Sequence, residues 1–244
     1  ALAPGPVPMW SQIADRLRAA LERQEFAPGD KLPSEADLNH IFGVSRSTAR
    51  AALDKLEAEG RIMRRSGRGS IVLAPRVEQP LNRLSSFADD MRARGLTPSY
   101  LTRSVTVAAA SPDVAEALGI EPETPLCLID RLLLANDMVI GLSLSWLSPA
   151  VVDIAATPTV AELDTGSLYA WIDERCGHRI AGGTEYIEAV NADERIAGSL
   201  NVAPRAAVLL ARRIARGPQG EPIEYAILYY RPDRYRFRIE LAPP

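Results

Sequence analysis

The stretch that most narrows the folds open to this chain is LPSEADLNHIFGVSRSTARAALDKLEAEG, residues 32 to 60. Ala49, Ala52, Leu53 and Leu56 recur at i, i+3, i+4 and i+7, which is one apolar stripe of a helix. Ser45 can cap that helix by accepting from an otherwise orphaned backbone N–H, and Gly60 suits its end. Just upstream, Ser34 caps a shorter helix with Asp37 three residues on, and Leu38, Ile41 and Phe42 form its expected buried stripe. The intervening FGVS is the length of turn that joins two crossed helices. A third helix, WSQIADRLRAAL, offers Ile13, Leu17, Ala20 and Leu21 to close the core.

In such a unit the second helix enters a DNA major groove N-terminus first. Arg46, Ser47 and Arg50 lie opposite the apolar stripe, so the core has no use for them. The plain alternative is a solvated helix face. As a recognition surface, Arg46 and Arg50 could reach guanine O6 and N7, while Ser45, Ser47 and Thr48 could hold phosphates. Downstream, RIMRRSGRGSIVLA predicts a two-stranded ribbon whose tip, Gly67-Arg68-Gly69, turns tightly enough to approach a sugar-phosphate backbone. Arg61, Arg64, Arg65 and Arg68 occur there with no acid between them.

These residues resemble the winged helix-turn-helix of GntR-family transcription regulators, over about residues 9 to 73. The Pro-Ser-Glu opener, the Ser-Arg-x-Thr-x-Arg helix and the Gly-x-Gly wing carry the likeness. It implies DNA contacts from Ser34, Ser45, Arg46, Ser47, Thr48, Arg50, Arg65, Gly67, Arg68 and Gly69. One position departs: Ala36 stands where the family usually has an arginine, so one DNA contact is expected to be missing.

The chain's 244 residues suffice for two cores. A net charge of −3 looks wrong for a DNA binder until it is divided. Residues 1–75 carry 11 basic and 9 acidic side chains, and the remainder 17 and 22. Positive charge is therefore gathered where nucleic acid would sit, and the local patch governs affinity. No apolar run approaches the roughly 20 residues of a membrane span, and ALAPGPVP does not look like a signal peptide. Cys127 and Cys176 lie in apolar-patterned stretches, as buried thiols in a reducing cytoplasm would.

Residues 76–83, APRVEQPLNR in context, are polar and aperiodic and are expected to be a linker between domains 1–75 and 84–244. LSSFADDMRARG then predicts a helix with Leu84, Phe87, Ala88 and Met91 inward. SPDVAEALG predicts another, with Ser111 as cap, Pro112 at its first position and Gly119 past its end. TPLCLIDRLLLA and MVIGLSLSWL, joined by Asn136-Asp137, predict a hairpin. AAVLLARRIAR and IEYAILYYRPDRYRFRIEL predict a second, with Tyr235, Phe237, Ile239 and Leu241 alternating inward. The fold class is α+β, with an antiparallel sheet in the second domain.

That half resembles the UTRA effector domain of the HutC subfamily, whose fold is like chorismate lyase, on SSFADDMRARGLTP, LANDMVI, GSLYAWI and RPDRYRF. In subfamily members that sense amino-sugar phosphates, the anion sits at the N-terminus of the domain's first helix. The resemblance thus implies effector contacts at Ser86, Phe87 and Ala88, and at Arg131, Ser167, Tyr169, Glu224 and Tyr230. Alternatives stay open: Arg131 can pair with Asp130 or Asp137, Ser167 can cap its helix, and Tyr169 or Tyr230 can belong to the core. A second family arginine falls at Leu133 and a sugar-binding glutamate at Ser143. Both losses weaken recognition of a phosphosugar and favour a smaller anion such as phosphate or a phosphonate.

The expected function is a cytoplasmic, homodimeric DNA-binding regulator, a repressor released by a small anionic effector, on an inverted-repeat operator. No cofactor, metal or membrane is expected. An enzyme reading has Glu224 near Arg131 in its favour, but no nucleophile–base pair, phosphate loop or metal signature accompanies them. A metal-sensor reading has only two cysteines and two histidines, too scattered for a ligand set.

Overall fold

The computed structural model describes residues 6–23, 25–65, 69–73, 76–81 and 84–241. The chain divides between Arg76 and Val77 into two compact units.

In the first unit, α1 (Met9–Glu22), α2 (Glu35–Phe42) and α3 (Arg46–Ala58) precede the antiparallel pair β1 (Ile62–Arg65) and β2 (Gly69–Val72). Ser34 closes α2 with a complete capping box on Asp37, and Gly43 ends it at φ 65°, where a side chain would be strained. Ser45 caps α3 by accepting from the Thr48 N–H. Ile13, Leu17, Leu38, Ala49, Ala52, Leu53 and Leu56 form one buried core. Ile41, expected inside, is 59% exposed. It projects about 60° to the far side of Leu38, whereas Phe42 turns toward α1 and α3.

The second unit begins with β3 (Val77–Pro80), inside the stretch expected to be a linker. Then follow α4 (Phe87–Arg92), β4 (Pro98–Ala109), α5 (Pro112–Leu118), β5 (Pro125–Ala135) and β6 (Met138–Leu147). After two short helices, α6 (Val160–Thr165) and α7 (Leu168–Trp171), come β7 (Gly182–Asn191), α8 (Glu194–Leu200), β8 (Ala207–Arg216), β9 (Pro222–Tyr230) and β10 (Tyr235–Arg238). Six strands form one antiparallel sheet in the order β4-β5-β6-β9-β8-β7. Asn136 and Asp137 both take positive φ, 47° and 59°, the twist that a two-residue hairpin needs. Along β5 the side chains alternate. Leu126 packs with α5 and Leu132 with α8, while Cys127 and Ile129 pack with Leu163 of α6 and Leu168 of α7.

Two expectations are corrected here. The linker 76–83 contains a strand, because β3 pairs in parallel with β10, Val77 opposite Tyr235 and Gln79 opposite Phe237. Val77 and Gln79 are buried, and the Tyr235 hydroxyl donates to Gln79. The last strand does not run through to Leu241: it breaks at Pro232, which has no N–H to give a ladder. The chain turns back with the Tyr235 N–H donating to the Arg231 carbonyl at 2.8 Å, and Ile239 and Leu241 are exposed.

Candidate functional site

In the first unit, α3 carries its polar face outward. Arg46, Ser47 and Arg50 are exposed. The Ser45 hydroxyl lies 2.9 Å from that of Ser47 and 2.8 Å from that of Thr48, so three hydroxyls gather at the helix start. Ser34 is exposed, but its hydroxyl donates to Asp37 at 2.7 Å and is occupied by capping. Arg50 donates from Nε and Nη2 to Glu35, at 3.0 and 3.1 Å. Arg64 donates to the same carboxylate at 2.5 Å and also to Asp54. Arg65 ends β1 and Gly69, at φ 81°, begins β2. Gly67 and Arg68 lie outside the described residues.

In the second unit, residues of α4, α7 and the sheet line a partly open cavity of about 40 Å³. At about 10–15 Å³ per water position, that is room for a few waters or one compact group. Six of the expected effector residues, Ser86, Phe87, Arg131, Ser167, Tyr169 and Glu224, line it. Register explains the convergence: Arg131 lies opposite Ser143, and Ser143 opposite Leu228, so one row of the sheet crosses the cavity floor.

Arg131 is 5% exposed, and its Nε and Nη1 are buried without a hydrogen-bond acceptor. It does not pair with Asp130, which is held by Arg103 at 2.7 Å. Its guanidinium carbon lies 4.7 Å from the centroid of the Tyr100 ring. Burial pulls its pKa below the ordinary arginine value, and the fields of Tyr100 and Glu224 act the other way. Ser167 begins α7 without a side-chain capping bond, leaving its hydroxyl to the cavity. The Tyr169 hydroxyl donates to Glu224 at 3.0 Å, and burial raises its pKa further than any neighbour does.

Two expected contacts are placed elsewhere. Tyr230 is 2% exposed and stacks on Tyr235, ring centroids 4.0 Å apart, so the core alternative holds for it. Ala88 is fully buried behind Ser86 and Phe87 and does not line the cavity. Sequence reasoning missed Tyr100, Ser145 and Arg213, all of them lining residues. Arg213 of β8 pairs with Glu185 at 2.8 Å and approaches the Tyr169 hydroxyl at 3.5 Å. A charged residue at an inward position of the alternating run VLLARRIAR was the available signal. Leu133 and Ser143, the two departures from the subfamily pattern, both face the cavity.

Cys127 is buried, Cys176 is half-buried, and both thiols are free. Among the described residues no helix is long and apolar enough to cross a membrane, and no cluster of three metal-ligating side chains occurs.

Comparison with known proteins places each unit. Residues 10–72 match the gntR family of bacterial regulatory proteins, and residues 93–236 match the UTRA domain. The transcriptional repressor NagR of Bacillus subtilis is 32% identical over 95% of this chain and 94% of its own length. The probable transcriptional regulator PhnF of Escherichia coli is 30% identical over 95% and 94%. The crystal structure of PhnF from Mycobacterium smegmatis superposes with a TM-score of 0.66 at 27% identity, covering 95% of this chain and all of that one. The relatives are regulators rather than enzymes. With its helix-turn-helix unit and UTRA unit both matched, the chain belongs to the GntR family of DNA-binding transcriptional regulators, in its HutC-type architecture.

Proposed function

We propose that this regulator is a repressor, acting in the cytoplasm as a homodimer on an inverted-repeat operator and released by a compact anion bound beside Arg131. One observation carries the effector reading: a buried guanidinium with two nitrogens lacking acceptors, at the wall of a cavity. An unpaired buried charge is costly, and an anionic oxygen entering the cavity would supply what Arg131 lacks. Ser143 and Ser167 add short hydroxyls, while that of Ser86 is taken by capping and donates to Asp89 at 2.7 Å. Tyr169 and Glu224 complete the polar lining, and the small volume favours phosphate or a phosphonate over a phosphosugar. The name of the relative NagR supports repression. Arg46 and Arg50 would read base edges, with the hydroxyls at the start of α3 on the backbone.

Release requires that the effector bind one arrangement of the protein better than another. A tenfold loss of operator occupancy needs about 1.4 kcal/mol of such coupling. Calorimetry with phosphate, sulfate, phosphonates and amino-sugar phosphates tests the reading. An anion should bind, should lose its affinity in Arg131→Ala, and should weaken binding to a duplex selected from a randomised library. A clear preference for amino-sugar phosphates would overturn the compact-anion assignment, and unchanged binding in Arg131→Ala would overturn the site.

A further inference from the structure

The first unit contains a half-buried surface carboxylate that neither capping nor core packing requires. Glu35, the first residue of α2, is only 22% exposed at its side chain, and it accepts from two arginines on two other elements. Arg50 of α3 approaches it side-on, through Nε and Nη2. That geometry uses one edge of the planar guanidinium and leaves the end-on pair of N–H groups, one on each terminal nitrogen, pointing away from the carboxylate. Arg50 remains 63% exposed, so the free edge faces solvent where the groove would be. End-on donation by two parallel N–H groups is the arrangement that matches guanine O6 and N7.

We propose that Glu35 is a positioning residue for DNA sequence recognition, holding Arg50 with its end-on edge presented to a guanine. The inference rests on the operator reading above and names a residue that reading leaves out. An unrestrained arginine loses rotamer freedom when it docks, and a pre-formed side-on bond removes part of that cost before the DNA arrives. The carboxylate also repels phosphate, so it favours a matched base over indiscriminate backbone contact. Arg64 of β1 shares the carboxylate and is further tied to Asp54, while its backbone N–H donates to Glu57 at 2.8 Å. These bonds fix α2, α3 and the ribbon around Arg50. With Ala36 following Glu35, the opener contributes a carboxylate and no cation to this surface.

The test uses the full chain and a duplex selected by the wild type from a randomised library, together with each single-base variant of that duplex. Arg50→Ala should flatten the preference at one base pair per half-site, by about fivefold or more. Glu35→Gln, which cannot accept from both N–H groups of that edge, should flatten the same base pair and leave the pair read by Arg46 unchanged. The double variant should be no less selective there than Arg50→Ala alone. Binding to a duplex of unrelated sequence should tighten in Glu35→Gln, since a negative charge has left the DNA-facing surface. Glu35→Ala gives the same outcome by an independent substitution if the first variant is poorly folded. Preference retained within twofold at the Arg50 base pair, or equal weakening on every duplex, overturns the proposal. If neither Arg46→Ala nor Arg50→Ala flattens any base pair, the operator reading itself fails and takes this proposal with it.

Discussion

The guanidinium of Arg131 lies over the face of Tyr100, 4.7 Å from the ring centroid, and that ring meets Phe87 edge-on at 5.8 Å. Phe87 is the first residue of α4 and lines the same cavity. The aromatic face attracts the cation without supplying a hydrogen-bond acceptor, so Arg131 is held in place with its donors unspent. An unpaired buried charge of this kind costs stability, and under the proposed function a bound anion would recover that cost.

The first prediction follows from that cost. Arg131→Met keeps the volume and removes the unpaired charge, so the ligand-free protein should gain about 1–3 kcal/mol. Thermal unfolding checks it. Adding the preferred anion at 100 times its dissociation constant should stabilise the wild type by about 2.7 kcal/mol and leave the variant unmoved. A variant less stable than wild type would mean that Arg131 already has its counter-charge.

Tyr100 can be dissected in the same way. Tyr100→Phe keeps the aromatic face and should bind the anion like wild type, whereas Tyr100→Leu should lose about 0.5–2 kcal/mol of affinity. Equal affinities in a calorimetric comparison would show that the ring contributes only packing.

Because β3 belongs to the second unit, where the chain is cut matters. A fragment of residues 77–244 should fold, while one of residues 84–244 leaves β10 without its partner. The shorter fragment should be less stable by at least the burial of Val77, about 1.5–3 kcal/mol. Urea melts of the two fragments decide this. Size measurement of the longer one at micromolar concentration checks the expected dimer, which a monomer would contradict.

On α3, Arg46 is exposed. Arg46→Ala should weaken binding to the selected duplex about 5- to 150-fold, and much less to unrelated DNA. Anisotropy titrations on both duplexes measure the ratio. An equal loss on both would make Arg46 a backbone contact.

The thiols should differ. Burial pushes Cys127 up from an ordinary 9.0 to about 11, so at pH 8 it should resist a thiol reagent in the native state, while half-buried Cys176 reacts first. The folded form holds this proton more tightly than the unfolded chain. The associated stability is therefore complete below pH 9 and lost as pH rises toward 11. Rapid labelling of both thiols at pH 8 would refute the burial argument.

Much of this was legible in the sequence, wherever a local rule set the structure. Ser34, Ser45 and Ser111 cap helices because a hydroxyl at that spacing satisfies a backbone N–H within the same few residues. The 3.6-residue stripe of α3 and the Asn136-Asp137 turn are equally local. Arg131, Ser167, Tyr169 and Glu224 were reached through family resemblance, and the fold brings them around one cavity.

What only tertiary structure decided depends on partners distant in the chain. Residues 77–80 form a strand because β10, more than 150 residues on, offers a free edge, and no local periodicity announces that. Tyr230 left the expected site for the stack on Tyr235 because the turn at Pro232 folds the chain back over it. Arg213 joined the cavity through strand register, which places β8 two strands from β6. The sequence by itself determined the helix caps, the turns and the kinds of chemistry available. Long-range pairing decided which side chains meet, because a sheet's register is set by the sum of its contacts rather than by any one segment.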